Sequence, residues 1–255
     1  MTRALLLVLS LLCAPSAASA QGAVIETLDD LQHVPEPPGV RGDLPMRVDL
    51  TGTIPPPRTQ DATSTCVSWA AVYAAGSQAL RRAGHGDTLT LSPAFSYNQV
   101  ARDRLCLTGT KISNTLDQLR DVGALPIEAF AFDAGWCGRL PTDAERRRAA
   151  RYRIKGWSRF DATNIDAVKT QLARGVPVIF SMLVGSRLKA HRGLNVLSTD
   201  ENAIMGHSMV AVGYDEARKA FAIQNSWGRS WGDGGYAWFA YEFWRRNVKV
   251  GFVID

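Results

Sequence analysis

The chain lacks an apolar run long enough to span a bilayer. Its longest, Leu5 to Leu12, is interrupted by Ser10 and falls far short of the roughly 20 apolar residues a membrane helix needs. No integral membrane segment is therefore expected. It also lacks a strong charge of either sign: removing Arg3 from the 29 basic side chains leaves 28 against 24 acidic ones. That balance gives no reason to expect nucleic acid as a partner. The densest basic stretch, Arg146 to Arg159, is interleaved with Ala149, Ala150 and Tyr152 at helical spacing and reads as a solvated helix face. Repeats and low-complexity tracts are absent. Cysteine and histidine are scarce, at four each, and no CxxC, CxxH or HExxH spacing occurs, so neither a metal site nor any other cofactor is expected.

What is present begins with an export signal. Residues 1–20 carry Arg3, the short apolar run and the small-residue stretch Ala18-Ser19-Ala20, the pattern of a signal peptide, which predicts a secreted or periplasmic protein. Cys13 falls inside it. Three cysteines remain, Cys66, Cys106 and Cys137, and in an oxidising compartment one of them must stay unpaired unless it bridges to another molecule. Cys106 and Cys137 both lie in turn-like sequence and are able to pair by looping 30 residues. Cys66 is the natural leftover.

Residues 21–45 contain Pro35, Pro37, Pro38 and Pro45 and read as an irregular arm or short propeptide, followed by a single domain over 46–255. Apolar periodicity predicts helices over about 66–82, 91–101, 114–122, 144–150 and 165–174, with Ser64 or Thr65 capping the first and Gly123 and Gly175 ending two others. Strands are expected at 176–184, 208–214, 220–225, 238–241 and 248–254, with a long surface loop over 185–206. Helices early and strands late imply an α+β fold, a helical lobe over about 58–150 and a sheet lobe over about 151–255.

A hairpin turning about residues 215–218 places opposed residues at numbers summing to about 433, which sets His207 across from Asn225 or its neighbours. That pairing carries chemistry. Cys66 stands at a helix start, where free amides and the helix dipole favour a thiolate. Of the four histidines, His33 and His85 lie in the arm and in a Gly-His-Gly turn, His191 lies in the long loop, and only His207 opens an apolar strand. Asn225 is placed to accept from one ring nitrogen and leave the other for Cys66, the division of labour of a nucleophile, base and orienter.

At these residues the sequence resembles the papain-like cysteine peptidases. RTQDATSTCVSWAA is similar to the family segment in which Gln60 lies six positions before the nucleophile Cys66. MGHSMVAVGYD is similar to the segment around the catalytic His207, and IQNSWGRSWGDGGYAWF to that carrying Asn225 and the shielding Trp227. LSPAFSYNQV and TLDQLRDVGALPIEAF match more weakly, in the family's order. The resemblance implies a papain-like two-lobe fold with Cys66 on the helical lobe and His207 and Asn225 on an antiparallel, barrel-like sheet lobe. It implies an oxyanion hole from the Gln60 side chain and the Cys66 amide, and substrate contacts from Gly109, Thr110, Met205, Gly206 and Ser208. It also implies a peptide or protein substrate, a protein inhibitor as a further partner, and hydrolysis through a thioester, with endopeptidase action expected. An amidase or transpeptidase with the same residues, or an inactive peptide-binding protein, are the alternatives.

The sequence departs from the family at Thr63, where another cysteine is common, at Val67 in place of Trp, and at Thr110, where a second glycine often lines the substrate channel. The segment before Val48 is shorter than the inhibitory propeptides of many relatives. Inhibition by residues 21–45 is left open.

Overall fold

The computed structural model describes residues 22–39 and 43–255; the expected signal peptide lies outside them. No helix among the described residues is long and apolar enough to cross a membrane.

The helix expected over 66–82 forms as one continuous rod. It is α-helical at Cys66–Ser68, takes π-type turns through Trp69–Gly76 and returns to α at Ser77–Arg82. Its middle, WAAVYAAG, is buried on every side, which explains why small residues dominate: neighbours approach all of its faces. Around it pack the helices Pro93–Val100 and Ile112–Asp121, and further along the chain lie Asp143–Ala149 and Ile165–Ala173. Asp143–Ala149 opens on a reciprocal cap between Thr142 and Glu145 and exposes Arg146, Arg147 and Arg148, as its sequence predicts.

Among the described residues, eight strands make one sheet: β1 (Arg47–Asp49), β2 (Trp157–Asp161), β3 (Val178–Val184), β4 (Val196–Leu197), β5 (Met205–Asp215), β6 (Ala220–Gln224), β7 (Tyr236–Ala240) and β8 (Val250–Ile254). They run in the order β2-β8-β3-β5-β6-β7-β4, with β1 added beside β5. All pairings are antiparallel except β4 with β7, so the sheet is mixed at that edge. Three of these strands, β1, β2 and β4, were not expected; β4 and the short helix Ser186–Ala190 order what reads as a plain loop over 185–206.

The β5–β6 hairpin forms out of the expected register. Next to the turn Tyr214 opposes Phe221, a sum of 435 rather than 433, and a bulge between Ala211 and Gly213 then brings Val210 opposite Gln224, a sum of 434. The bulge shifts the ladder by one position towards the open end, where His207 and Asn225 meet by their side chains.

The proline-rich arm is docked. Leu31 and Val34 are buried in the main core, Arg159 of β2 donates to the Leu31 carbonyl and pairs with Glu36, and Arg174 and Gln171 donate to the Pro38 carbonyl. Glu26 reaches the start of the helix Ile112–Asp121, where its carboxylate accepts from the Ser113 amide. That helix has no side-chain cap of its own, so the arm provides its N-terminal acceptor.

Candidate active site

The helical rod begins at Cys66, and β5 crosses it so that the amide of Ser208 stands near enough to the Cys66 sulfur to favour its charge. His207, one residue earlier on β5, is thereby delivered to the same place. Its Nε2 lies 2.7 Å from Asn225 Oδ1. The same oxygen accepts from the Ser226 amide at 2.8 Å, which fixes which end of the Asn225 amide faces the ring. An amide oxygen can only accept, so Nε2 carries the proton and Nδ1 keeps the lone pair. The imidazole is held in the tautomer of a base.

Trp227 covers this bond. Its ring stacks on His207 with centroids 4.4 Å apart and planes 25° from parallel, and Trp231 meets Trp227 edge-on at 5.7 Å. His207 and Asn225 are both buried. Gln60 is held across the lobes. Its backbone amide donates to the Ser226 carbonyl, Ser226 Oγ donates to its Oε1, and its own Nε2 donates to the Thr63 carbonyl. One N–H of that amide remains, and Gln60 shares with His207, Met205, Gly206 and Trp227 the wall of a cavity of about 620 Å³. A second cavity of about 320 Å³, walled by Leu80, Arg82, Arg174 and Val253, contains none of these residues.

Two expectations about the nucleophile need correction. Neither Ser64 nor Thr65 caps the helix: Ser64 Oγ donates instead to the Leu107 carbonyl, and Thr65 Oγ1 pairs with Thr63 Oγ1. Nor is the thiol poised as a thiolate. Burial pushes Cys66 up to about 12, outweighing the amides of Ser208, Val67 and Cys66 that favour its charge, and burial pushes His207 down to about 4 against the help of Asn225. Both groups are therefore neutral in this conformation.

The cover is the arm. Gly22 lies against the sulfur so closely that a β-carbon built on it would stand 2.8 Å from Sγ. Ala23 donates its amide to the Gly206 carbonyl at 3.1 Å, and Val24 donates to the Thr110 carbonyl at 2.9 Å. The arm thus bonds to the sheet lobe and the helical lobe in successive residues. Gly206 has to be glycine for this seat, since a β-carbon there would come 2.0 Å from the Ala23 carbonyl oxygen.

The remaining residues singled out by sequence divide accordingly. Thr110 and Gly206 meet the arm through their carbonyls, and Met205 borders the cavity. Gly109, next to Thr110, is half-buried. Ser208 is turned from the cleft, its hydroxyl bonded to Ser181 on β3, and only its amide reaches the sulfur. Cys106 and Cys137 form a disulfide, leaving Cys66 as the free cysteine among the described residues. Ser226 and Trp231, which hold Gln60 and Trp227, were not singled out. Their signal was adjacency to Asn225 within one quoted block, but their partners are far away in sequence.

The structure thus sets a buried thiol on one lobe and a histidine–asparagine pair on the other, under a tryptophan lid. The profile described as Papain family cysteine protease matches residues 44–246, and the chain belongs to that family. Among curated relatives, it is 27% identical over 208 residues to the cysteine endopeptidase Rep1 of Oryza sativa subsp. japonica, covering 78% of this chain and 53% of that protein. It is 25% identical over 219 residues to cathepsin K of Mus musculus, covering 83% and 64%. The chain thus spans about half to two thirds of the length of these two relatives. Among solved structures, xylellain, a cysteine protease from Xylella fastidiosa, superimposes with a TM-score of 0.81 at 24% identity, covering 93% of this chain and 96% of that one. Procathepsin L 3 of Tenebrio molitor does so at 0.74 and 17% identity, covering 93% and 77%. The shared α+β two-lobe fold is papain-like.

Proposed function

We propose that the protein is an endopeptidase that cleaves peptide bonds through a Cys66 thioester, and that residues 22–24 keep it latent until they leave the cleft. The observation that carries the reading is the His207–Asn225 bond with its single allowed tautomer, because it leaves Nδ1 free to take the thiol proton.

Once the arm withdraws, water reaches the site and the burial that holds both groups neutral is relieved. Sγ then loses its proton to His207 Nδ1 and attacks the substrate carbonyl. The developing oxyanion takes hydrogen bonds from the spare Gln60 N–H and the Cys66 amide, a donor pair of which one member is typically worth about 2.7–4 kcal/mol. His207 returns its proton to the departing amine, a water displaces the thioester, and Asn225 holds the ring throughout while Trp227 keeps solvent from their bond. The protein is expected to act outside the cytoplasm, in keeping with its leader-like start and its disulfide.

The test is covalent labelling. Peptidyl epoxide or iodoacetamide, followed by mass mapping, is expected to modify Cys66 alone, with the rate suppressed in His207→Ala. Labelling no faster than that of a small thiol, in chain from which residues 22–39 have been displaced, contradicts the reading. Product analysis with an added amine separates hydrolysis from acyl transfer to amines.

A further inference from the structure

The substrate class is written in the loop between β3 and β5, an inference that rests on the peptidase reading. That loop carries three cations, Arg187, Lys189 and Arg192. Arg187 is neutralised by Glu201. Asp200, the other acid nearby, is taken up by the backbone amides of Gly185, Leu188 and Glu201. Lys189 and Arg192 both border the catalytic cavity, and neither has a carboxylate within salt-bridge distance among the described residues.

Their positions are held. Trp231 Nε1 donates to the Leu188 carbonyl, Gly232 donates to the His191 carbonyl, Gly193 donates to the Gly232 carbonyl, and the Arg192 guanidinium is held by the His191 carbonyl. The loop is thereby fastened to the segment that supplies Trp227 and Trp231. The one acid on the cavity wall is Asp61, whose Oδ1 already accepts from Thr59. With His207 neutral, two cations face one carboxylate.

The side of the cleft follows from the proton. The departing amine leaves where His207 can protonate it, and His207 is part of this cavity's wall. The main-chain acceptors of Gly206 and Thr110 are bonded by Ala23 and Val24, and Gly206 marks the point where that half of the cleft adjoins this cavity. Lys189 is close enough for its charge to be felt at the His207 ring.

We propose that the enzyme selects peptides carrying an acidic side chain one to three residues beyond the scissile bond on the leaving-group side, held by Lys189 and Arg192. Two exposed charge pairs of this kind are worth about three- to tenfold in kcat/KM at low ionic strength, an advantage that salt erodes.

The experiment uses internally quenched peptides matched except for Asp, Asn or Lys at each of three positions on either side of the cleaved bond. They are assayed on the full chain carrying Gly22→Val, which displaces the arm from Sγ. Expected is a preference of Asp over Asn over Lys at a leaving-group-side position, shrinking in roughly 0.5 M salt, where the screening range is about half that at 0.1 M, and reversing in Lys189→Glu/Arg192→Glu. A flat profile, or a preference confined to the acyl side, overturns the proposal while leaving the peptidase reading intact. Should no peptide be cleaved, the peptidase reading fails, and the same ranking is read as peptide affinity by fluorescence anisotropy on Cys66→Ala in the Gly22→Val background. Equal affinity for the Asp and Lys peptides there overturns the proposal as well.

Discussion

Gly22 lies against Cys66, with no room for a β-carbon between them. On the proposed mechanism the arm stands where a scissile peptide would, and it is held there by main-chain bonds to both lobes. Gly22→Val forces the arm off the sulfur. Alkylation of Cys66 by iodoacetamide should then accelerate at least tenfold at neutral pH, an estimate from the loss of burial around the thiol. An unchanged rate, with the variant shown to be folded by its unfolding midpoint, would mean that Gly22 does not guard the thiol.

The pH response of the arm has a definite sign. Burial depresses His207 to about 4, against an ordinary value near 6.5, and the part of that burial which the arm supplies lets the uncovered site bind a proton more readily between those values. The docked arm is accordingly fully stable above about pH 6.5 and loses stability as pH falls towards 4. Glu26 works in the opposite sense: burial raises its carboxyl above the usual range, so its contribution is present at low pH and lost as pH rises. The larger His207 shift should dominate. Hydrogen exchange at the Ala23 and Val24 amides, corrected for intrinsic rates, should be faster at pH 4.5 than at pH 7, with Glu26→Gln leaving that direction unchanged. Equal protection at the two pH values refutes the linkage.

Gln60 is expected to act only once charge develops. Gln60→Ala should lower kcat about 100- to 1,000-fold while leaving the rate of Cys66 alkylation within a factor of about three, because an alkylating agent builds no oxyanion. Ser226→Ala, which frees Gln60 Oε1, should produce a milder loss of the same character. A parallel fall in both rates would place Gln60 in the ion pair instead.

The Cys106–Cys137 bridge closes a segment with a sequence separation of 31 residues and sits in a small cluster of its own with Tyr97. Replacing both cysteines by serine should cost about 3–4 kcal/mol of stability by loop-closure entropy. Denaturant unfolding measures it. Because Ser64, two residues before the nucleophile, bonds through its amide to the Cys106 carbonyl and through its hydroxyl to the Leu107 carbonyl, the variant should also lose kcat before it unfolds.

The candidate site residues stood out in the sequence because each sits in a local pattern: Cys66 at the opening of an apolar helix, His207 and Asn225 on the two strands at the open end of one hairpin. Local pattern also located the two helices ended at Gly123 and Gly175, both at positive φ. What escaped was non-local. The segment Tyr241–Asn247, rich in aromatics, forms a helix because Phe243 and Trp244 are drawn onto Phe180, Phe221 and Phe239, contacts no window of sequence reveals. The register error arose at the turn, which spans residues 216–219 rather than 215–218, and the bulge between Ala211 and Gly213 took back one position of it. The docking of residues 22–24 was unreadable for the same reason, since Thr110 and Gly206 are distant in the chain and offer only backbone carbonyls.

The seat of Gly22 has a further result for the protein's survival. A sulfur kept uncharged and shut away from solvent reacts poorly with peroxides and with the disulfides of neighbouring molecules, both of which attack through the thiolate. The glycine proposed to deny entry to peptides would thereby spare Cys66, the free cysteine among the described residues, from sulfenic acid formation and from exchange with other disulfides in the folded protein.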